Sequence, residues 1–156
     1  MSRTPRRIGA SDTPGSIGEV LCRNLREGGF RGPVFYVNPR HASIRDRPSY
    51  PDVRSLPQPV DVAIVATPPP TLPMVLEHCG ERGVRGAIIV SAGFREGGEA
   101  GAAWERSMLQ VARRYGLRLL GPNSFGVIRT DNGFNASCGA ALPQPGRLAL
   151  VSQSSA

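Results

Sequence analysis

With 156 residues, 40% hydrophobic and 20% charged, the chain has the composition of a soluble globular protein and enough length for one substantial core. No apolar stretch approaches the ~20 residues of a membrane span, and the first seven residues lack the apolar centre of a signal peptide, so a cytoplasmic location with no membrane partner is expected. The formal charge of +7 comes from arginine, because the chain contains no lysine. These arginines are scattered, with no basic run longer than two residues and no aromatic-interleaved motif, so nucleic acid is not expected as a partner. An anionic coenzyme is the more economical use of the charge.

In chain order, residues 3–8 are charged and proline-broken and read as a poor central strand. A misassigned start or an upstream frameshift would account for such a segment. The spacing of Ile17, Val20, Leu21 and Leu25 predicts a helix over residues 17–28, stopped by Gly28-Gly29. Residues 34–37 read as a short strand, and residues 42–59 as irregular and proline-rich. Residues 60–66 (VDVAIVA) form the clearest strand, β-branched and nearly free of polar groups, as expected for a strand covered on both faces. A helix over 71–82 follows, with Thr71 as its expected N-cap. Then come a buried strand at 86–90, a helix at 98–115, and strands at 117–120 and 147–151. Alternating βα units with short connections predict an α/β fold, a Rossmann-like doubly wound parallel sheet with right-handed crossovers.

Turns of ligand-binding type recur after the apolar runs. They are Gly9-Ala10-Ser11-Asp12-Thr13-Pro14-Gly15-Ser16-Ile17-Gly18, then Asn38-Pro39-Arg40-His41, Thr67-Pro68 and Ser91-Ala92-Gly93-Phe94. Ligands of open α/β sheets bind at the carboxyl ends of the strands, where these turns fall. In the first turn, glycines let backbone approach a phosphate and the helix start favours an anion, with Ser11 and Ser16 as hydroxyl donors. The same small residues also permit a tight βα turn with no ligand. After the second strand an NAD-binding fold places an acidic residue, whereas this chain has Arg40 and His41, which suits the extra phosphate of NADP or coenzyme A. An exposed arginine there is equally compatible with plain solvated surface. Thr67 and Ser91 are expected to turn their hydroxyls to the ligand.

Three cysteines (Cys22, Cys79, Cys138) without a CxxC pattern point to neither a metal site nor a disulfide framework; the first two fall in predicted helices and are expected to be buried thiols. The two histidines, His41 and His78, do not assemble with any carboxylate into a catalytic set, and His78 reads as a surface residue. No catalytic residue is assigned.

Taken together, GASDTPGSIG, YVNPR, VDVAIVATPPP, GAIIVSAGF, GLRLLGPNSFGV and RLALVSQSSA resemble the coenzyme-A-binding domain of NDP-forming acyl-CoA synthetases. That family includes ADP-forming acetate–CoA ligases, the succinyl-CoA synthetase α subunit and related protein acetyltransferases. The resemblance runs from about Gly9 to Ala156 and implies CoA as the ligand. It places Gly9, Ala10, Ser11, Gly15, Ser16 and Gly18 along the CoA phosphates, and Asn38, Pro39, Arg40 and His41 by the adenosine end. Thr67, Pro68, Ser91, Ala92 and Gly93 would flank the pantetheine path, with Gly121, Pro122 and Asn123 near the thiol. It also implies a domain over residues 1–146, with 147–156 opening a second domain. The phosphohistidine and ATP-grasp parts of the family's reaction (acid, CoA and ATP to acyl-CoA, ADP and phosphate) have no match. The chain is therefore expected to bind CoA as a piece of such an enzyme, completed by a partner chain or further domains. A stand-alone CoA-binding regulatory or partner subunit is one alternative. An NADP-dependent oxidoreductase domain is another, which the missing tyrosine–lysine set and the absence of lysine oppose.

Overall fold

The computed structural model describes residues 5–141 and 143–146, with side chains from residue 9 onward. The elements are β1 (Pro5–Ile8), α1 (Ile17–Glu27), β2 (Phe35–Val37), β3 (Ser43–Ile44), β4 (Arg47–Tyr50), β5 (Val62–Val65), α2 (Leu72–Glu81), β6 (Gly86–Ile89), α3 (Gly98–Tyr115), β7 (Arg118–Leu120), β8 (Gly126–Arg129) and β9 (Phe134–Ser137). Seven strands form one sheet in the order β3-β4-β2-β1-β5-β6-β7, parallel throughout except for the antiparallel β3–β4 pair. β8 and β9 make a separate antiparallel hairpin.

The alternation of β5 divides the core. Ala63 and Val65 point into a layer with Leu72, Leu76 and Cys79 of α2 and Met108 and Ala112 of α3. Ile64 points the other way, to Leu21 and Leu25 of α1 and to Phe134 and Ala136 of β9. Helices therefore cover both faces, which is the doubly wound architecture the sequence predicts. Asn24 of α1 ties the β8–β9 hairpin down: its Nδ2 donates to the carbonyls of Ser137 and Gly139, both at 2.8 Å.

The predicted strands and helices at 17–28, 34–37, 60–66, 71–82, 86–90, 98–115 and 117–120 are all present, with ends shifted by up to two residues. Three readings change. The first strand, expected to be poor, forms over Pro5–Ile8 and pairs on both sides, with Arg6 opposite Phe35 and Ala63. Its proline sits at the first position, where a missing N–H is tolerated. Part of the irregular stretch at 42–59 folds as the β3–β4 hairpin, and β8–β9 was not anticipated. Thr71 stands at the N-cap of α2 without capping it: its hydroxyl lies 2.7 Å from the Pro68 carbonyl and 3.0 Å from Thr67 Oγ1. Cys22 and Cys79 are buried in α1 and α2, as expected. The strand predicted at 147–151 lies outside the described residues.

Candidate functional site

Parallel strands all end at one edge of the sheet, so their following turns gather there. Two runs of hydrogen bonds join neighbouring turns, one on each side of the β1–β5 pair. Asn38 N–H donates to the Tyr50 carbonyl at the end of β4 (2.9 Å), and Gly9 N–H donates to the Val37 carbonyl at the end of β2 (3.1 Å). Asn38 Nδ2 reaches the Ala10 carbonyl at 2.7 Å, while its Oδ1 accepts from Arg40 N–H at 2.8 Å. On the other side, Ser91 Oγ donates to the Thr67 carbonyl at 2.6 Å, and Asn123 N–H donates to the Ser91 carbonyl at 2.9 Å.

The β1–α1 turn is built by close backbone contact. Gly9 has φ +83°, and a Cβ on it would lie 2.6 Å from the Ala66 carbonyl oxygen. Gly18, at the helix start, would drive a Cβ to 2.7 Å from Ser11 Cβ and 2.9 Å from the Gly9 carbonyl oxygen. Gly15 differs: with φ +75°, a Cβ there would meet nothing within 4 Å, so its bare backbone borders open space. Ser16 caps α1, accepting from Glu19 N–H at 3.0 Å and donating to the Thr13 carbonyl at 2.8 Å. Ser11 Oγ accepts from Thr13 N–H at 3.1 Å.

Between the turns after β1, β2 and β5 and the flank of α2 lies a cleft of about 440 Å³, inside the ~300–1,000 Å³ range of small-molecule sites. Gly9, Asn38, Pro39, Arg40, Thr67 and Pro68 line it together. Pro51, Asp52 and Val53 close one side. Thr71, Met74, Val75 and His78 close the other. These last four recur at helical spacing on α2, a signal legible in the sequence, where Thr71 reads as the N-cap and only His78 as surface. His78, expected to be a surface group, is half-buried in the cleft wall. Asp52 is held below the usual carboxylate range by the Arg54 guanidinium at 3.0 Å, helped by the N–H groups of Arg54 and Ser55 and opposed by partial burial.

The remaining predicted residues take other roles or places. Ala10 is fully buried among Cys22, Tyr36 and Ile44, so only its backbone faces the turn. Ser91 is buried, with its hydroxyl turned to the rim. Ala92 and Asn123 are exposed and Pro122 is half-buried, farther along the same edge. Gly93 N–H is already held by Glu96 Oε1 at 2.6 Å, a bond that lowers the Glu96 pKa. His41 is exposed and stands outside the cleft lining.

A family model described as "CoA binding domain" matches residues 7–130, the stretch that carries this edge and the large sheet from within β1 onward. The chain belongs to the CoA binding domain family. Among relatives of this CoA binding domain, the acetate–CoA ligase [ADP-forming] I of Archaeoglobus fulgidus is 44% identical over 149 residues, covering 96% of this chain and 22% of the relative. The acetate–CoA ligase [ADP-forming] I subunit alpha of Pyrococcus furiosus is 43% identical over 153 residues, covering 96% of this chain and 33% of that one. Among solved structures, the dinucleotide forming acetyl-coenzyme A synthetase 1 of Ca. Korarchaeum cryptofilum, in complex with phosphate and ADP, superposes with a TM-score of 0.81 at 35% identity, over 87% of this chain and 29% of that one. The domain thus spans about a fifth to a third of the length of these relatives. No helix among the described residues is long and apolar enough to cross a membrane.

Proposed function

We propose that this domain binds CoA along the carboxyl edge of its sheet and serves the acyl-CoA-forming reaction of an ADP-forming acid–CoA ligase. The observation that carries this reading is the cleft shared by Gly9, Asn38, Pro39, Arg40, Thr67 and Pro68, at the edge where an open α/β sheet takes its ligand. Its size suits a nucleotide, and Arg40 and His78 bring basic side chains to its wall. The bare backbone of Gly15 and the start of α1 suit the pyrophosphate. From there the pantetheine arm would pass the Thr67-Pro68 and Ser91-Ala92-Gly93 turns toward Pro122 and Asn123. Within this proposal the domain binds and orients CoA. Phosphoryl and acyl transfer fall to protein outside these elements, supplied in the same polypeptide or, as the name of the Pyrococcus relative suggests, in a partner subunit.

Calorimetric titration of the purified chain with CoA, dephospho-CoA and NADPH tests the reading. CoA binds most tightly, and Arg40→Gln narrows its advantage over dephospho-CoA. Heat with NADPH alone, or a folded chain that binds none of the three, would overturn it.

A further inference from the structure

A doubly wound sheet carries cover on both faces, and here the cover is uneven. α2 and α3 pack over one face of β5–β7. On the other face α1 packs against Ile64 of β5, while β6 and β7 have only the β8–β9 hairpin and Phe30 beside them. The hairpin does not fill the space. A groove of about 310 Å³ remains between it and the sheet, with Val62, Ile88, Leu120, Val127, Phe30 and Phe134 as its apolar walls. Leu120, at 44% exposure, is left open by it. That volume falls at the lower end of the range for small-molecule sites.

The groove keeps its depth at one residue. Gly86 stands in register between Val62 and Arg118, each the first residue of its strand. Its backbone is not left-handed, and a Cβ on it would meet only the Arg118 carbonyl oxygen at 3.5 Å, an ordinary contact. Neither conformation nor packing inside the protein calls for glycine there. A glycine in a strand weakens it, and often marks the place where a ligand comes close.

At the amino edge of the sheet the groove opens into a polar recess of about 410 Å³, which shares Val62, Gly86 and Arg118 with it and adds Arg85 and Asp61. Arg85 and Arg118 are exposed. Among the described residues neither takes part in a salt bridge, whereas Arg129 across the groove is paired with Asp131. Two guanidinium groups against one carboxylate leave the recess positive.

We propose that groove and recess form a second binding site, for a small carboxylate with an apolar tail. The tail lies over Gly86, between sheet and hairpin. The carboxylate meets Arg118, which lines both spaces and whose guanidinium can donate to both its oxygens, with Arg85 beside it. The site lies at the edge opposite the CoA cleft and shares no lining residue with it, so the inference does not rest on the CoA reading.

The test is calorimetric titration with butanoate, hexanoate and octanoate, and with octanol as the uncharged control. Wild type, Gly86→Val and Arg118→Gln are compared, with folding checked by circular dichroism and thermal unfolding. Affinity rises about fourfold with each added methylene, octanoate binds more tightly than octanol, and saturating CoA alters neither. Gly86→Val places a side chain suited to a strand in the groove; it abolishes octanoate binding and keeps the fold. Arg118→Gln removes the preference for octanoate over octanol and leaves octanol binding unchanged. A folded wild type that takes no octanoate overturns the inference, as do affinity without chain-length dependence, displacement by CoA, and wild-type octanoate affinity in folded G86V. Should G86V fail to fold, R118Q decides: an unchanged octanoate-to-octanol ratio overturns the inference.

Discussion

Alanine at Gly9, Gly15 and Gly18 separates two costs that the β1–α1 turn combines. Gly15→Ala meets only the left-handed backbone, at φ +75° with nothing within 4 Å of the new carbon; such a residue loses about 1–2 kcal/mol. Gly18→Ala meets only crowding, with Ser11 Cβ at 2.7 Å and the Gly9 carbonyl oxygen at 2.9 Å. Overpacking of that kind costs about 1–3 kcal/mol, offset by roughly 0.5–1 kcal/mol from replacing a helical glycine. Gly9→Ala meets both, at φ +83° and 2.6 Å from the Ala66 carbonyl oxygen, main chain directly after β5 that cannot rotate aside like a side chain. Its loss is about 2–5 kcal/mol on adding the two terms. At about 2–4 °C per kcal/mol for a chain of this size, its melting temperature falls by roughly 4–20 °C, about 2–12 °C further than that of the Gly15 variant. Urea denaturation, with the slope checked for constancy, measures the series. CoA titration adds the opposite ranking: Gly15→Ala places a methyl in the open space by the turn and costs more affinity than stability. Equal stability losses at Gly9 and Gly15 would refute the close-approach argument.

Asn24→Ala strands the buried Ser137 carbonyl and the partly buried Gly139 carbonyl. It lowers stability by about 1–3 kcal/mol and speeds amide hydrogen exchange in β8–β9 more than in β5, as read by mass spectrometry. Asp52, with its folded pKa depressed below 3.8 by Arg54, contributes stability that is present above the unfolded value and lost as pH falls through the folded one. Asp52→Asn therefore flattens part of the acid limb of the stability–pH curve below about pH 4, a difference that denaturation at pH 3 and pH 6 resolves.

Most of the sheet was legible because its strands are apolar runs closed by glycine or proline turns, and β5 and β6 need no tertiary information to be seen. β1 was not. Its strandedness comes from β2 and β5 pairing on either side, which overrides a composition of proline and arginine. β3 and β4 hid for a related reason. Pro48 lies within β4, where a proline is uncharacteristic of a strand, and the turn residues Arg45 and Asp46 are not the glycine or asparagine that marks a hairpin. β8–β9 did carry a signal, Asn132-Gly133 between Ile128 and Phe134, and that signal was overlooked. At the site, residue types located the edge but not the assignments of individual groups. Ser16 and Ser91 have the chemistry of ligand donors, yet their hydroxyl protons go to the Thr13 and Thr67 carbonyls. Only the fold decides between such uses.

The hydrogen bonds running from Tyr50 through Asn38 to Ala10, and from Thr67 through Ser91 to Asn123, bear on when the ordering entropy of the site is lost. A rim knitted into the sheet is ordered as the chain folds, so a ligand arriving later has little loop freedom left to freeze. Affinity and foldedness are then coupled properties of this edge. Loosening one knot frees the rim in the empty protein, and the ligand must supply that order on binding, so the loss appears as weaker affinity at sites the ligand never touches.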